Sequence, residues 1–243
     1  MSTTTPVLTL EGVAKEYQQG DELIQALQPT TLSLTEGELV GILGPSGSGK
    51  STLLTIMGGL RTPSQGAVRI HGEPFSELAE KQRAHVRHAR LGFVLQAAGL
   101  VPFLRLRDQF VLHDKVARTR PRIAHRDHLI DELGLADRLE AYPEQMSGGE
   151  RQRAAIAVAL YHDPDIILAD EPTASLDSRR ARTVAELLAA QTHEWGKATV
   201  MVTHDERLLD VCDRVMVMSD GMLSQTTHAE VAHHALHPPR TQD

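Results

Sequence analysis

Leu39-Val-Gly-Ile-Leu-Gly44-Pro-Ser-Gly-Ser-Gly49-Lys50-Ser51-Thr-Leu-Leu-Thr-Ile-Met57 is the stretch on which the reading of this 243-residue chain turns. It opens with a strand-sized apolar run, passes through a glycine-rich loop and closes on a run that can open a helix. The loop fits G-x-x-x-x-G-K-[ST] in full. Glycines let the backbone curl until successive N–H groups point inward at phosphate oxygens, and the helix behind adds the positive end of its dipole. On this reading Gly44, Pro45, Ser46, Gly47, Ser48, Gly49 and Thr52 cradle a nucleotide's phosphates. Lys50 reaches the β- and γ-phosphates, and Ser51 offers a hydroxyl to Mg²⁺. The alternative is a turn that matches by accident. With glycine near ~7% of residues, the four fixed positions match by chance in about one such chain in a hundred.

Working outward, short runs rich in β-branched residues recur at 67–70, 166–169, 199–203 and 215–218, and each reads as a strand. Ser178–Trp195 carries Val184, Leu187 and Leu188 on one helical face, with Gly196 as a stop. Strands alternating with helices predict an α/β fold with a mainly parallel sheet covered on both sides. The segment 96–145 differs: it is basic and helical, with Arg105, Arg107, Arg118, Arg120, Arg122 and Arg126, and reads as an insertion. The tail from 226 is polar and reads as frayed. Its His228, His233, His234 and His237 could ligate a metal or haem, but a solvated tail without fixed geometry is the plainer reading. His85, His88, His125 and His128 are expected on exposed helical faces.

Bulk properties bound the rest. A hydrophobic fraction of 41% supplies a sizeable core without disulfide or structural metal. The single cysteine, Cys212, cannot bridge internally, which fits a reducing compartment. No run approaches the ~20 apolar residues that span a bilayer, and the N-terminus has no basic, apolar leader. A net charge of −7 argues against a general nucleic-acid binder.

A second site lies at Ile166-Ile-Leu-Ala-Asp170-Glu171, an apolar strand ending in two carboxylates. Asp170 stands where a strand's C-terminal end can hold Mg²⁺ through water. Glu171, one residue on, points differently and can face the attacking water, as general base or as positioner. A third segment, Met146-Ser147-Gly148-Gly149-Glu150, opens the helix predicted over 151–161. Ser147 sits at the N-cap and Glu150 three residues later, the spacing of a capping box.

Taken together, the three sites resemble the motifs of ATP-binding-cassette (ABC) ATPases, in that family's order and approximate spacing over residues 7–223. The resemblance implies a phosphate-loop NTPase core with a mainly parallel sheet, an N-terminal antiparallel β subdomain and an inserted helical subdomain. It places the ATP-binding core at about 1–95 and 161–225, the helical signature subdomain at about 96–160, and a polar tail at 226–243, all in one domain. It implies ATP and Mg²⁺ as ligands and a functional homodimer in which Ser147, Gly148, Gly149 and Glu150 meet the ATP held by the partner's loop. Motif by motif, Tyr17 matches the aromatic that stacks on adenine. Gln96 matches the glutamine that senses Mg²⁺ and water, and Ser175-Leu176-Asp177 the loop that touches the partner subunit. His204 matches the switch histidine at the γ-phosphate. With Ser51, Gln96 and Asp170 around the metal, Glu171, His204 and Gln96 form the implied catalytic set. The departures are Met146 where leucine is commonest and Glu150 where glutamine is.

The absence of a long appendage or a fused membrane domain, together with Ser-Gly-Gly-Glu, looks like the lipoprotein- and macrolide-extrusion branch, whose partner is a separate membrane permease. The segment 91–104, followed by Asp108-Gln109-Phe110, is similar to ATPase subunits of bacterial haem exporters in that branch. This implies a peripheral protein on the cytoplasmic membrane face, with haem efflux as the leading cargo. Another extruded substrate (lipoprotein, macrolide or peptide) and a non-transport, division-type role stay open.

Overall fold

The computed structural model describes residues 6–20, 22–174 and 176–227. In chain order, β1 (Leu8–Gln19) and β2 (Glu22–Leu34) form a hairpin, followed by β3 (Leu39–Leu43), α1 (Lys50–Met57), β4 (Gln65–Ile70) and β5 (Glu73–Pro74). Next come α2 (Glu80–Arg90), β6 (Leu91–Leu95), α3 (Leu106–Ala117), α4 (Ile123–Glu132) and α5 (Gly148–Leu160). The chain closes with β7 (Ile166–Asp170), α6 (Ser178–Trp195), β8 (Ala198–Val202), β9 (Arg214–Ser219) and β10 (Met222–Thr226).

Two sheets result. The six-stranded sheet has the order β10-β9-β3-β8-β7-β6. Its five strands from β9 to β6 run parallel, and β10 pairs antiparallel on the edge. The four-stranded sheet, β2-β1-β4-β5, is antiparallel throughout. The run at 67–70 is therefore a strand, but of this second sheet. The runs at 39–43, 166–169, 199–203 and 215–218 became β3, β7, β8 and β9 of the first. Strands β3 and β8 are buried along their whole length, as parallel strands covered on both faces must be.

Helix α1 fills the space between the sheets. Its Leu53, Ile56 and Met57 share one core with Leu10 and Val68 of the antiparallel sheet and Ile42 and Leu168 of the parallel one. Each such fully buried side chain contributes about 1.5–3 kcal/mol. On the other face, Ile156 of α5 and Val184 and Leu188 of α6 cover Leu39, Ile167 and Met201. Helix α6 ends as its sequence predicts, on Gly196 in the left-handed region (φ 65°). A third cluster, with Phe110, Ile130, Met146 and Tyr161, is formed among α3, α4 and α5.

Two expectations about histidines need correction. His88 does not lie on an exposed face. Its ring stacks 4.3 Å from that of His113, and His162 completes the group at 4.9 Å from His113. Helices α2 and α3 and the turn after α5 each supply one ring, so no local pattern announces the cluster. His125 is half-buried beside Trp195 and bonds the Leu160 carbonyl, whereas His85 and His128 are exposed as expected. The four tail histidines lie outside the described residues.

Candidate active site

Strand β3 delivers the chain to the glycine-rich loop, and steric necessity explains two of its glycines. A Cβ on Gly44 (φ 155°) would sit 2.1 Å from the Met218 carbonyl oxygen, and one on Gly49 (φ 107°) 2.5 Å from that of Ala26. Backbone from β9 and β2 thus presses the loop into shape from behind. Gly49 caps α1 without any side-chain bond, leaving the first-turn N–H groups open toward the loop. Lys50 is buried, and its ammonium donates to the carbonyls of Gly44 and Pro45, each at 2.7 Å. The Ser48 hydroxyl is buried with no hydrogen-bond partner in the protein. A cleft of about 210 Å³ opens here, lined by Ser46, Gly47, Gly49, Lys50, Ser51 and Thr52, with Ala26 and Glu171 opposite.

Asp170 and Glu171 end β7 beside this cleft. The Ser51 hydroxyl lies 3.5 Å from Asp170 Oδ1. Burial pushes the Asp170 carboxyl above its usual range; the Ser51 contact opposes this and the neighbouring Glu171 charge reinforces it. Glu171 adopts φ 46°, uncommon for a residue with a side chain, and its N–H donates to the Val202 carbonyl at 3.0 Å. That bond fixes the twist after β7 and turns the Glu171 side chain toward the loop. His204, just beyond β8 and largely exposed, brings Nδ1 to 3.4 Å from Glu171 Oε2. A hydroxyl and a carboxylate, with an amide in the next strand's exit, are hard oxygen donors of the kind Mg²⁺ takes.

That amide, Gln96, is exposed and follows Leu95, the register partner of Asp170 in the sheet. The Leu95 carbonyl accepts from the side-chain amide of buried Gln152, which ties the exit of β6 to α5 at 3.3 Å. Tyr17 stands on β1 with the cations of Lys15 and Arg61 each 5.4 Å from its ring centre. It does not line the cleft, where Ala26 stands instead.

The Ser147 segment forms the predicted capping box. The Ser147 hydroxyl accepts from the Glu150 N–H at 3.3 Å, and Glu150 Oε2 accepts from the Ser147 N–H at 2.7 Å. Arg138 donates to Glu150 Oε1 at 2.8 Å. The Ser147 N–H, with help from Arg138 and the Ser147 hydroxyl, pushes the Glu150 carboxyl down to about 2. None of Ser147, Gly148, Gly149 and Glu150 lines the cleft of its own chain. Leu176 packs against the core, and Asp177 caps α6 by accepting from the Arg180 N–H at 3.0 Å. Ser175 lies outside the described residues. Sequence reasoning did not find Arg138, Gln152, Ala26 or the histidine cluster.

Comparison with known proteins places this geometry. Residues 27–174 match the family model described as ABC transporter. A Staphylococcus haemolyticus protein named as a hemin import ATP-binding protein, HrtA, is 41% identical over 219 residues, covering 89% of this chain and 98% of its own. The lipoprotein-releasing system ATP-binding protein LolD of Bordetella pertussis is 43% identical over 223 residues, covering 90% and 96%. Among solved structures, the dimeric ATP-binding cassette MJ0796 bound to ADP and Pi superposes with a TM-score of 0.82 at 36% identity, covering 90% of this chain and 98% of its own. The cbiO1 subunit of the Clostridium perfringens cbiONQ transporter complex gives 0.81 at 27% identity, covering 97% of both chains. The first of these cassettes is dimeric and the second is part of a transporter complex, and among the described residues of this chain no helix is long and apolar enough to cross a membrane. The chain therefore belongs to the ABC transporter ATP-binding family and is an ATPase subunit of such a transporter.

Proposed function

We propose that two copies of this chain close around two molecules of MgATP and use their hydrolysis to drive a separate membrane permease, with haem efflux as the transported process. The observation that carries the dimer reading is the split of the machinery. The cleft with Lys50, Ser51 and Glu171 contains no part of the Ser147 N-cap, whose helix terminus is left to act on something outside its own chain. A helix N-terminus attracts anions, and the ATP of a facing copy supplies one.

In this mechanism the loop N–H groups and the Lys50 ammonium hold the β- and γ-phosphates, and Tyr17 stacks on adenine. Ser51 and Asp170, with Gln96, hold Mg²⁺, which spreads the phosphate charge when bound. Glu171 takes the proton of the attacking water, or holds that water in line, while the water oxygen bonds the γ-phosphorus, the bond from γ-phosphorus to the bridging oxygen breaks, and ADP leaves with that oxygen. His204, against Glu171, contacts the γ-phosphate. Ser175, Leu176 and Asp177 border the facing copy.

The partner face is argued from apolar exposure. Leu60, Leu95 and Val116 are 52%, 45% and 66% exposed and line one groove of about 410 Å³ next to Gln96. A permease segment seated there, where Val116 of the helical subdomain, 96–160, meets Leu60 and Leu95 of the core, would press directly on the exit of β6. That seat makes the chain a peripheral protein of the cytoplasmic membrane face, without a nucleic-acid role. The cargo rests on the segment 91–104 with Asp108, Gln109 and Phe110, and on the HrtA relative, which is named for hemin import. Lipoprotein release, as the LolD relatives are named for, is the second reading.

One experiment tests both levels. Tagged Glu171→Gln protein with MgATP is recovered from native membranes, and the co-purifying permease is paired with wild-type chain for ATPase assays. Hemin-stimulated hydrolysis, with greater haem accumulation in cells lacking the chain, is the expected result. Lower accumulation would reverse the direction, stimulation by lipoprotein alone would replace the cargo, and recovery of no membrane protein would overturn the transport reading.

A further inference from the structure

Glu150 stands where a glutamine is commonest, and its carboxylate puts a full negative charge at the start of α5. On the reading above, which this inference rests on, the same helix start must receive a γ-phosphate. Two anions at one helix terminus repel each other. Protonation cannot relieve this, because the Glu150 carboxyl is pushed down to about 2.

Arg138 answers the problem. It lies in a short turn at 136–138, and its Nε donates to Glu150 Oε1 at 2.8 Å while Oε2 accepts from the Ser147 N–H at 2.7 Å. Both carboxylate oxygens are thereby held within their own chain. Other cations nearby are occupied differently. Arg151 donates to the Met146 carbonyl, Arg153 to the Leu133 carbonyl at 2.9 Å, and Arg180, lying over Gly149, faces Asp177 at 3.4 Å. Among the described residues Arg138 is the one cation within ion-pair distance of Glu150. We propose that Arg138 is a positioning residue for ATP-driven closure: it neutralises and orients Glu150 so that the Ser147 N-cap can accept the facing copy's γ-phosphate.

The pair is partly solvent-exposed, with 43% of the Arg138 side chain and 21% of the Glu150 side chain accessible. A purely structural role would therefore weigh little, and the effect is expected in closure. The test uses the full chain carrying Glu171→Gln, with ATP-dependent dimerisation followed by sedimentation and nucleotide binding to the monomer followed separately. Arg138→Ala is expected to weaken closure about fivefold per site, hence about 25-fold in a dimer with two sites, with monomer binding unchanged. Adding Glu150→Gln should restore closure, because an amide oxygen still accepts the Ser147 N–H but carries no charge. Glu150→Gln alone should tighten closure relative to the parent, because it removes the charge that Arg138 offsets; weaker closure would overturn the inference even if Arg138→Ala folds poorly. Normal closure in Arg138→Ala, or no rescue in the double variant, overturns the inference. Gly149→Asp separates the two levels: if it still dimerises, the signature reading itself falls; if it fails while Arg138→Ala closes normally, only the role of Arg138 falls.

Discussion

Acidification should loosen this protein through three stacked imidazoles, and the size of the effect follows from their setting. His88, His113 and His162 have ring nitrogens that are buried without hydrogen-bond partners, although His162 Nε2 reaches the Leu91 carbonyl at 3.1 Å. Burial, and then the neighbouring imidazoles, push His162 down to about 4; burial and then His88 do the same for His113. The surrounding cleft adds Lys81, His85, Arg118 and Arg122 against one acid, Asp114, so a further proton meets mostly like charge. A folded value below the ordinary 6.5 means that stability is fully present above pH 6.5 and is lost as pH falls toward 4. Between pH 7.5 and pH 5, His162 alone then costs about 2 kcal/mol. His113 adds less, since water reaches it more readily and the two share their charges, for a total of about 3 kcal/mol. Urea unfolding at pH 7.5, 6 and 5 would measure it, with His113→Phe/His162→Gln as the variant that keeps ring volume and the donor to Leu91 but does not titrate. The variant should lose about 2–3 kcal/mol less than wild type across that interval. Parallel losses in the two proteins, or a His162 titration near 6.5 by NMR, would refute the reasoning.

Three other outcomes are expected. Lys50→Ala should lower ATP affinity about 10- to 100-fold in an equilibrium binding assay, since charge-assisted bonds to phosphate are lost; unchanged affinity would contradict its placement. Gly44→Ala should destabilise the fold by at least about 2 kcal/mol and abolish nucleotide binding, because the new methyl meets the Met218 carbonyl; a wild-type melting temperature would show that the loop can move aside. Tyr161→Phe removes a hydroxyl that donates to buried Asp114 and accepts from the Arg122 N–H, both at 2.9 Å. It should cost about 1–3 kcal/mol in denaturant unfolding, and a neutral result would mean that water replaces the hydroxyl.

What the sequence disclosed, and what it did not, divides by range. The phosphate loop, the Asp170-Glu171 strand end and the Ser147 capping box are each local patterns in which neighbouring residues carry the whole signal. Strand β1 was legible only through family resemblance. Its Leu8 and Leu10 alternate properly, but the register shifts between Leu10 and Val13 and again before Glu16, so the period-two pattern dissolves. Strand β6 was missed as a strand because Gly92 interrupts it. A Cβ there would lie 2.7 Å from the Ala159 carbonyl oxygen, so close packing of α5 demands a residue that weakens the strand signal. The histidine cluster and the contact from Arg138 to Glu150 are tertiary, and spacing does not encode them. The glutamate at position 150 was the one clue: an unexpected charge implies a counter-charge somewhere, without saying where.

The amide of Gln152 on the Leu95 carbonyl has a mechanical consequence. An α-helix is a stiff rod, rising 1.5 Å per residue, and Gln152 is five residues from the Ser147 end of α5, about 8 Å along the axis. A tilt of about 10° about that anchor would swing the serine by roughly 1.3 Å, half a hydrogen-bond length. The far end of the rod, eight residues on, would travel about 2 Å the opposite way, toward or away from the stacked imidazoles beside His162. Used as a fulcrum, the attachment would give the two ends of one helix opposite strokes, so that a push on either end is felt, reversed, at the other.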